Sequence, residues 1–591
     1  MRGKPVLCAL LLAAMAAALV GVLATLPQRD VSPAVLRVNQ VGYLPAWPKV
    51  ALIPGGALGG VATAELREAG SGLVVWRGSP RPIRQIRPIR QIGTAWTEVD
   101  WSAVRAEGTY VLTVDGKHSP PVTVAAAAYD RPLRLLLRSY FLQRCGVALA
   151  DAETGLRHGP CHLEDGVTAR ADVAGPAGRR QMAPGGWHDA GDYGKYVATG
   201  AVAVARLLSA YEACPALFPA GQLGIPESGD RLSERSDLLA EAAVELAWLL
   251  RMQRADGAVY RKLSGARWPG LVPPDADTQP RYLYGVSTAE TAKLGAALAF
   301  AARVYGSGIY RAAALRAWSY LEDHPDQEVD WQPGDDAGSG KYGASDVDRE
   351  ATLRTDVNDR WWAAAELLLT TGEERFARYV EQHAAAVSYT LFEWKNPAPL
   401  GVLHLLALKN LDRPTRALLR DKLLARAEES LAVTRRDPFG LANGRFVWGS
   451  NKMAAEEGIT LWWAWRLSGR AELRAAALDQ IHFLFGRNAL GEAGKSFVSG
   501  LGADPVRRVS HIFARAVGRD VPGLLVGGPN ALEQSGIAPR GRGVLSYADD
   551  ARSYATNESA IDYNASLVGL LALAMSEPLE PLELLGGRCT R

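Results

Sequence analysis

The chain has 591 residues, 48% of them hydrophobic and 22% charged, with a net charge of +3. It is too long for one ordinary domain, and its composition excludes a disordered chain. Charge this close to balance excludes the electrostatic footprint of a nucleic-acid-binding protein or of one held on an anionic membrane. The 16 Trp and 19 Tyr exceed the needs of packing alone. Flat aromatic faces suit carbohydrate, although core packing accounts for most of them.

In chain order, residues 1–24 come first. A basic start (Arg2, Lys4), an apolar run from Val6 and a Val-Leu-Ala ending at Ala24 form the pattern of a secretory signal peptide. The run is about the length of a bilayer span, roughly 20 residues, so an uncleaved anchor is the alternative. Cys8 lies too deep in it to begin a mature lipoprotein. Both readings put the working part outside the cytoplasm, secreted or periplasmic. Cys145, Cys161, Cys214 and Cys589 remain, and an exported chain ordinarily uses such cysteines as disulfides.

Residues 34–125 read as β structure. VLRVNQVGYLP, KVALIP, ATAEL, GLVVWRG and GTYVLTV are short β-rich runs parted by Gly, Pro and Asn, which predicts a β-sandwich. Within it, RPIRQIRPIRQI duplicates six residues in tandem from Arg81; a hairpin or edge loop is expected there, with no chemistry.

Residues 129–585 are helical in character. LLAEAAVELAWLLRMQ sets Leu238, Leu239, Ala242, Ala243, Leu246, Leu249 and Leu250 on one stripe, and three later segments repeat the pattern. Long Gly/Pro/Asp loops such as SGARWPGLVPPDADTQPRY join these helices, and loops of that kind in a compact domain are usually functional.

The chemistry concentrates in GGWHDAGDYGKY, Gly185 to Tyr196, where Asp189 and Asp192 stand three residues apart beside His188. Two acids aimed into one space serve proton transfer or metal binding. Glycosidic cleavage needs a protonated acid at the leaving oxygen and a carboxylate on the other face of the sugar. The matching acid is Glu558 in YADDARSYATNESAIDYNAS, between Tyr554 and Tyr563. Aromatic, partly desolvated surroundings raise a carboxyl pKa; taken alone, a glutamate there reads as a surface residue.

GGWHDAGDYGKY, together with Tyr547-x-Asp549, Tyr554, Glu558, Ala560 and Asn564-Ala565, resembles glycoside hydrolase family 9, the inverting cellulases and their relatives. VSTAETA at Val286, DVNDRWWAAAELLLTTG at Asp356, FVWGSN at Phe446, GRNALG at Gly486 and GGPN at Gly527 agree with it. VNQVGYLP, Val38 to Pro45, resembles the immunoglobulin-like module that precedes the catalytic domain in one branch. The resemblance implies a mainly α protein: an (α/α)6 barrel behind a small immunoglobulin-like β-sandwich. It implies Glu558 as general acid, Asp192 as general base and Asp189 as a second grip on the water. It also implies a structural zinc held by Cys145, Cys161, His162 and His188; a Cys145–Cys161 disulfide is the alternative. Asp335 and Asp336 in an acidic loop are candidate calcium ligands, against a plain solvated loop. No organic cofactor is expected.

Trp187, Tyr193, His511 and Tyr554 are the expected substrate contacts, with Trp361, Trp362, Trp394 and Trp448 as further aromatics. The pattern breaks at one place. Where relatives carry a His-His-Arg triplet lining the sugar groove, this chain has Ser510-His511-Ile512, and Asp504 stands for an expected Asn. Arg507, Arg508 and Arg515 are the nearby arginines, and Asp504 in the groove would favour a cationic sugar such as glucosamine. The leading expectation is a monomeric, secreted β-1,4-glucanase acting on cellulose or related β-glucans. An exo-acting glucosidase or glucosaminidase on short oligosaccharides is the second, and a carbohydrate-binding protein without catalysis the third.

Overall fold

In a computed structural model, the structure describes residues 36–576 apart from 55–57, 59–61, 84–95, 227–233, 340–354 and 409–410. The leader, most of the RPIRQI duplication and Cys589 lie outside the described residues.

The predicted sandwich is present as two small antiparallel sheets. One pairs Val50–Pro54 and Arg81–Pro82 with Trp96–Asp100. The other runs Val74–Gly78, Ala64–Glu68, Gly108–Val114 and Lys117–His118, with Val122–Val124 also on Gly108–Val114. Alternation decides what faces inward: in GTYVLTV, Tyr110, Leu112 and Val114 are buried while the residues between them are not. They meet Ala51, Ile53 and Val99 of the facing sheet in a core of their own, with Trp101 edge-on to Tyr43.

The helical part is a double ring. Helices Val197–Ala213, Thr288–Tyr305, Val357–Thr371, Ala398–Ala407, Ser450–Ser468 and Ile561–Met575 form its inner layer. They are hydrophobic nearly all round, which is what a helix walled in on every side requires. Outer helices such as Glu374–His383 bury one stripe only. This is the (α/α)6 barrel. The expected long amphipathic helix is Asp237–Met252, and Leu238, Leu239, Ala242, Leu246 and Leu249 are its buried stripe. Among the described residues no helix is long and apolar enough to cross a membrane.

The sandwich is bolted to the barrel through VNQVGYLP. Asn39 donates from Nδ2 to Tyr129 (2.6 Å) and lies 3.0 Å from His482 Nδ1. Gln40 donates to the Gly494 carbonyl (2.8 Å) and accepts from the Asp504 amide (2.8 Å). Trp96 packs edge-on against Phe439.

Candidate active site

Gly185–Tyr196 is an irregular loop ending in a strand, Lys195–Tyr196, that pairs with Tyr260–Gly265 before the inner helix Val197–Ala213 begins. At its start it is tied by backbone to the turn that follows helix Asp130–Phe141: Cys145 N–H donates to the Gly186 carbonyl (2.8 Å) and His188 N–H to the Gln143 carbonyl (2.9 Å). At its middle it meets two other loops. Ile512 donates to the Gly191 carbonyl (2.8 Å) and Ile561 to the Asp189 carbonyl (2.9 Å). Glu558 Oε1 accepts from the Gly191 amide at 3.0 Å. Gly191 is the only residue type that fits: a Cβ there would stand 2.4 Å from the Ser510 carbonyl oxygen and 2.6 Å from Glu558 Oε1.

Asp189, Asp192 and Glu558 thus line one cleft, a cavity of about 790 Å³. Burial raises the Asp189 carboxyl well above the usual range, with the Asp562 charge adding to it, and the Thr199 hydroxyl donates to its Oδ1. Burial also raises Asp192, against donors that favour its ionised form, the Gly194 amide (3.0 Å) and the Tyr196 hydroxyl (3.2 Å). Glu558 is pushed up to about 8 by burial and then by the neighbouring Asp192 charge. The site therefore pairs a carboxyl kept protonated near neutrality with a carboxylate braced by hydrogen bonds, a division of roles suited to general acid and base.

The signature residues around Glu558 are structural ties. Asn557 accepts from Tyr547 (2.6 Å) and donates to the Arg508 carbonyl, and Asp549 accepts from the Arg507 and Arg508 amides. Asn564 accepts from the Leu525 amide and donates to Ser139 and Gly523.

A second cluster lies behind the Gly185–Tyr196 loop. One ligand atom each from Cys145, Cys161, His162 and His188 fall within 4.8 Å of one another. Both thiols are free, with sulfurs 4.0 Å apart, twice the roughly 2.05 Å of a bonded pair. The disulfide alternative is corrected accordingly. Cys145 Sγ is 3.7 Å from His162 Nδ1, and that nitrogen is 3.3 Å from His188 Nε2. A tetrahedral ion with bonds of about 2.3 Å to sulfur and about 2.0–2.1 Å to nitrogen sets edges of about 3.8 and 3.3 Å. The fit is close. Burial holds His188 down to about 4, in the neutral form a ligand needs. His162 adopts φ +53°, an unfavourable left-handed conformation for histidine, and its outer Nε2 lies 3.5 Å from Asp277.

Several expected contacts fall elsewhere. Trp187 is 1% exposed, its indole N–H given to Glu241, and Tyr193 is 1% exposed with its hydroxyl on the Val272 carbonyl. Both are packing residues behind the loop, away from the cleft wall. His511 is buried and caps helix Ile512–Val517 through Nδ1, while Ser510 lines the cleft. Trp361 and Trp362 are core. Tyr554, Trp394 and Trp448 do line the cleft, and Trp268, from the long loop marked as functional, joins them. Asp504 is not among the cleft residues and is paired with Lys495 at 2.9 Å, so it offers no free charge to a sugar. Of the three arginines, Arg515 is on the cleft wall. Asp335 and Asp336 are no calcium cradle: Arg170 and Arg261 hold the first, Lys262 the second. Cys214 is disulfide-bonded.

A barrel of paired helices with three buried carboxyls in one cleft, joined to an immunoglobulin-like module, is an arrangement suited to cleaving glycosidic bonds. Residues 129–571 match the glycosyl hydrolase family 9 model and residues 31–119 the cellulase N-terminal ig-like domain. The chain belongs to glycosyl hydrolase family 9. It is 33% identical over 603 residues to endoglucanase C of Cellulomonas fimi, covering 91% of this chain but 51% of that protein. The chain therefore spans about half the length of that relative. A metagenome-derived family 9 endoglucanase superimposes with a TM-score of 0.84 at 40% identity, covering 92% of this chain and 99% of the other. A zinc-binding triple mutant of the family 9 endoglucanase J30 gives 0.82 at 36% identity, over 90% and 99%.

Proposed function

We propose that the protein is an exported, inverting hydrolase of β-1,4-glucosidic bonds in cellulose or related β-glucans. The observation that carries this reading is Glu558, a buried carboxyl raised to about 8 and hydrogen-bonded to the loop that bears Asp189 and Asp192. Glu558 gives its proton to the leaving oxygen as the C1–O bond breaks. Water attacks C1 from the opposite face and loses a proton to Asp192, while Asp189 holds the same water in line. Trp268, Trp394, Trp448 and Tyr554 supply stacking faces for the sugar rings. The disulfide at Cys214 supports export, since such bonds persist in oxidising compartments. With Asp504 held by Lys495, that residue does not favour glucosamine over glucose.

Proton NMR of cellohexaose during hydrolysis tests the proposal. New reducing ends appearing first as the α anomer, in products of mixed length, are expected. First appearance of the β anomer, or no cleavage, would overturn it.

The pH profile follows from the two roles. An acid works while protonated and a base while ionised, so kcat/KM rises as Asp192 deprotonates and falls as pH passes about 8, where Glu558 ionises. An alkaline limb that persists in Glu558→Gln, measured on a substrate with an activated leaving group, would contradict the assignment.

We assign the Cys145, Cys161, His162 and His188 cluster to zinc. Two thiolates and two imidazoles with no open position make a structural site, which clamps the catalytic loop to the turn that follows helix Asp130–Phe141. Removing the ion with a strong chelator is expected to lower the melting temperature by about 5 °C or more, and adding zinc to restore it. Metal analysis giving no zinc in protein purified without chelator would refute this.

A further inference from the structure

The cleft contains a cation that the mechanism above leaves idle. Lys452, in the first turn of helix Ser450–Ser468, lines the cleft although its side chain is only 5% exposed. Its Nζ stands 3.1 Å from Asp562 Oδ2, yet no hydrogen bond of good geometry reaches it among the described residues. An ammonium carries three N–H donors. Burying them unmet is expensive, so such groups normally find acceptors. Asp562 Oδ2 can take only one of the three N–H groups, which leaves the others unmet in a residue that lines the cleft.

The position of the pair says which acceptor is wanted. Asp562 also lines the cleft, in the first turn of helix Ile561–Met575, whose Ile561 amide donates to the Asp189 carbonyl. The Asp562 charge is near enough to Asp189 to raise it. The pair therefore sits on the side of the site where the attacking water is held. Asp562 already balances the Lys452 charge, so the match is to a neutral oxygen rather than to a carboxylated sugar.

We infer that Lys452 is a substrate-binding residue: its ammonium, steadied by Asp562, donates to a ring hydroxyl of the glucosyl unit whose C1 is attacked. The inference rests on the hydrolase reading above. It adds a specificity determinant to that site, because a buried donor without its acceptor rejects analogues lacking the hydroxyl.

The test pairs Lys452→Met with cellobiosides lacking one hydroxyl at a time on the cleaved unit. Wild-type kcat/KM is expected to fall about 10- to 100-fold for one deoxy position. The variant should show a similar loss on the parent substrate and little further loss on that analogue. Independent losses that multiply at every position would overturn the inference. A second arm measures binding of a non-hydrolysable sulfur-linked cellotetraose by calorimetry, where Lys452→Met should raise Kd about tenfold or more; an unchanged Kd would overturn the inference. That arm separates the two readings, since wild-type binding without cleavage would refute hydrolysis and still report on Lys452. Removing one member of a buried ion pair endangers folding, so a Lys452→Met, Asp562→Asn double variant repeats both arms, with the same outcomes deciding.

Discussion

Glu558→Gln is expected to lower kcat on cellohexaose by about a hundred- to ten-thousandfold, the usual worth of a positioned general acid. The exchange keeps the shape of the side chain and an oxygen for the Gly191 amide to meet. It removes only the proton that the leaving oxygen needs. Substrates with leaving groups that depart unprotonated, such as dinitrophenyl cellobioside, should recover most of the lost rate. A stability readout separates chemistry from damage. Because folding raises this carboxyl, the folded protein holds its proton where the unfolded chain has lost it. The wild type is therefore penalised as pH climbs from the ordinary glutamate range towards about 8. The glutamine variant escapes that penalty, and its melting temperature should match the wild type at pH 4 and exceed it at pH 8. Near-normal cleavage of cellohexaose by a pure sample would end the assignment of Glu558.

Asp192→Ala is expected to be as severe, about a hundred- to ten-thousandfold in kcat, because no group remains to take the water's proton. The Gly194 amide and the Tyr196 hydroxyl lose their acceptor while the acid across the cleft stays in place. The alanine leaves room for a small anion. Azide needs no deprotonation, so it should restore turnover and yield a glycosyl azide of α configuration from a β-linked substrate. A β-azide would mean attack from the other face and would overturn the pairing of Asp192 with Glu558.

Much of this was legible in the chain. Periodicity of 3.6 found the barrel helices and alternation found the sandwich, because each element must hide one face. Asp189, Asp192 and Glu558 were legible through the motifs around them, and the four metal-type ligands through the same resemblance. What failed were judgements of direction. Trp187 and Tyr193 adjoin the carboxylates in sequence, but the bends at residues 190–193 of this irregular loop send neighbouring side chains to different sides. Asp192 and Tyr196 face the cleft while Tyr193 turns back towards His162 and His188. The acids of the 330s looked available because their partners, Arg170, Arg261 and Lys262, are distant in sequence. Asp504 had its partner only nine residues away, but an irregular loop has no period from which to predict that Lys495 would curl onto it. Lys452 gave no signal, since a lysine in a helical first turn ordinarily reaches for water.

The bolts between sandwich and barrel have a practical consequence for anyone trimming this chain. Cutting before Tyr129 would strip Phe439 of the Trp96 ring, leave the Tyr129 hydroxyl without Asn39, and release the Asp504 and Gly494 backbone from Gln40. Those last two belong to the stretch whose Lys495 also reaches Asp549, the residue that anchors the loop ahead of Glu558. The amino-terminal module is thus a splint on the loops around the cleft rather than a passenger. Grafting a foreign module in its place would need Asn39, Gln40 and Trp96 carried along with it.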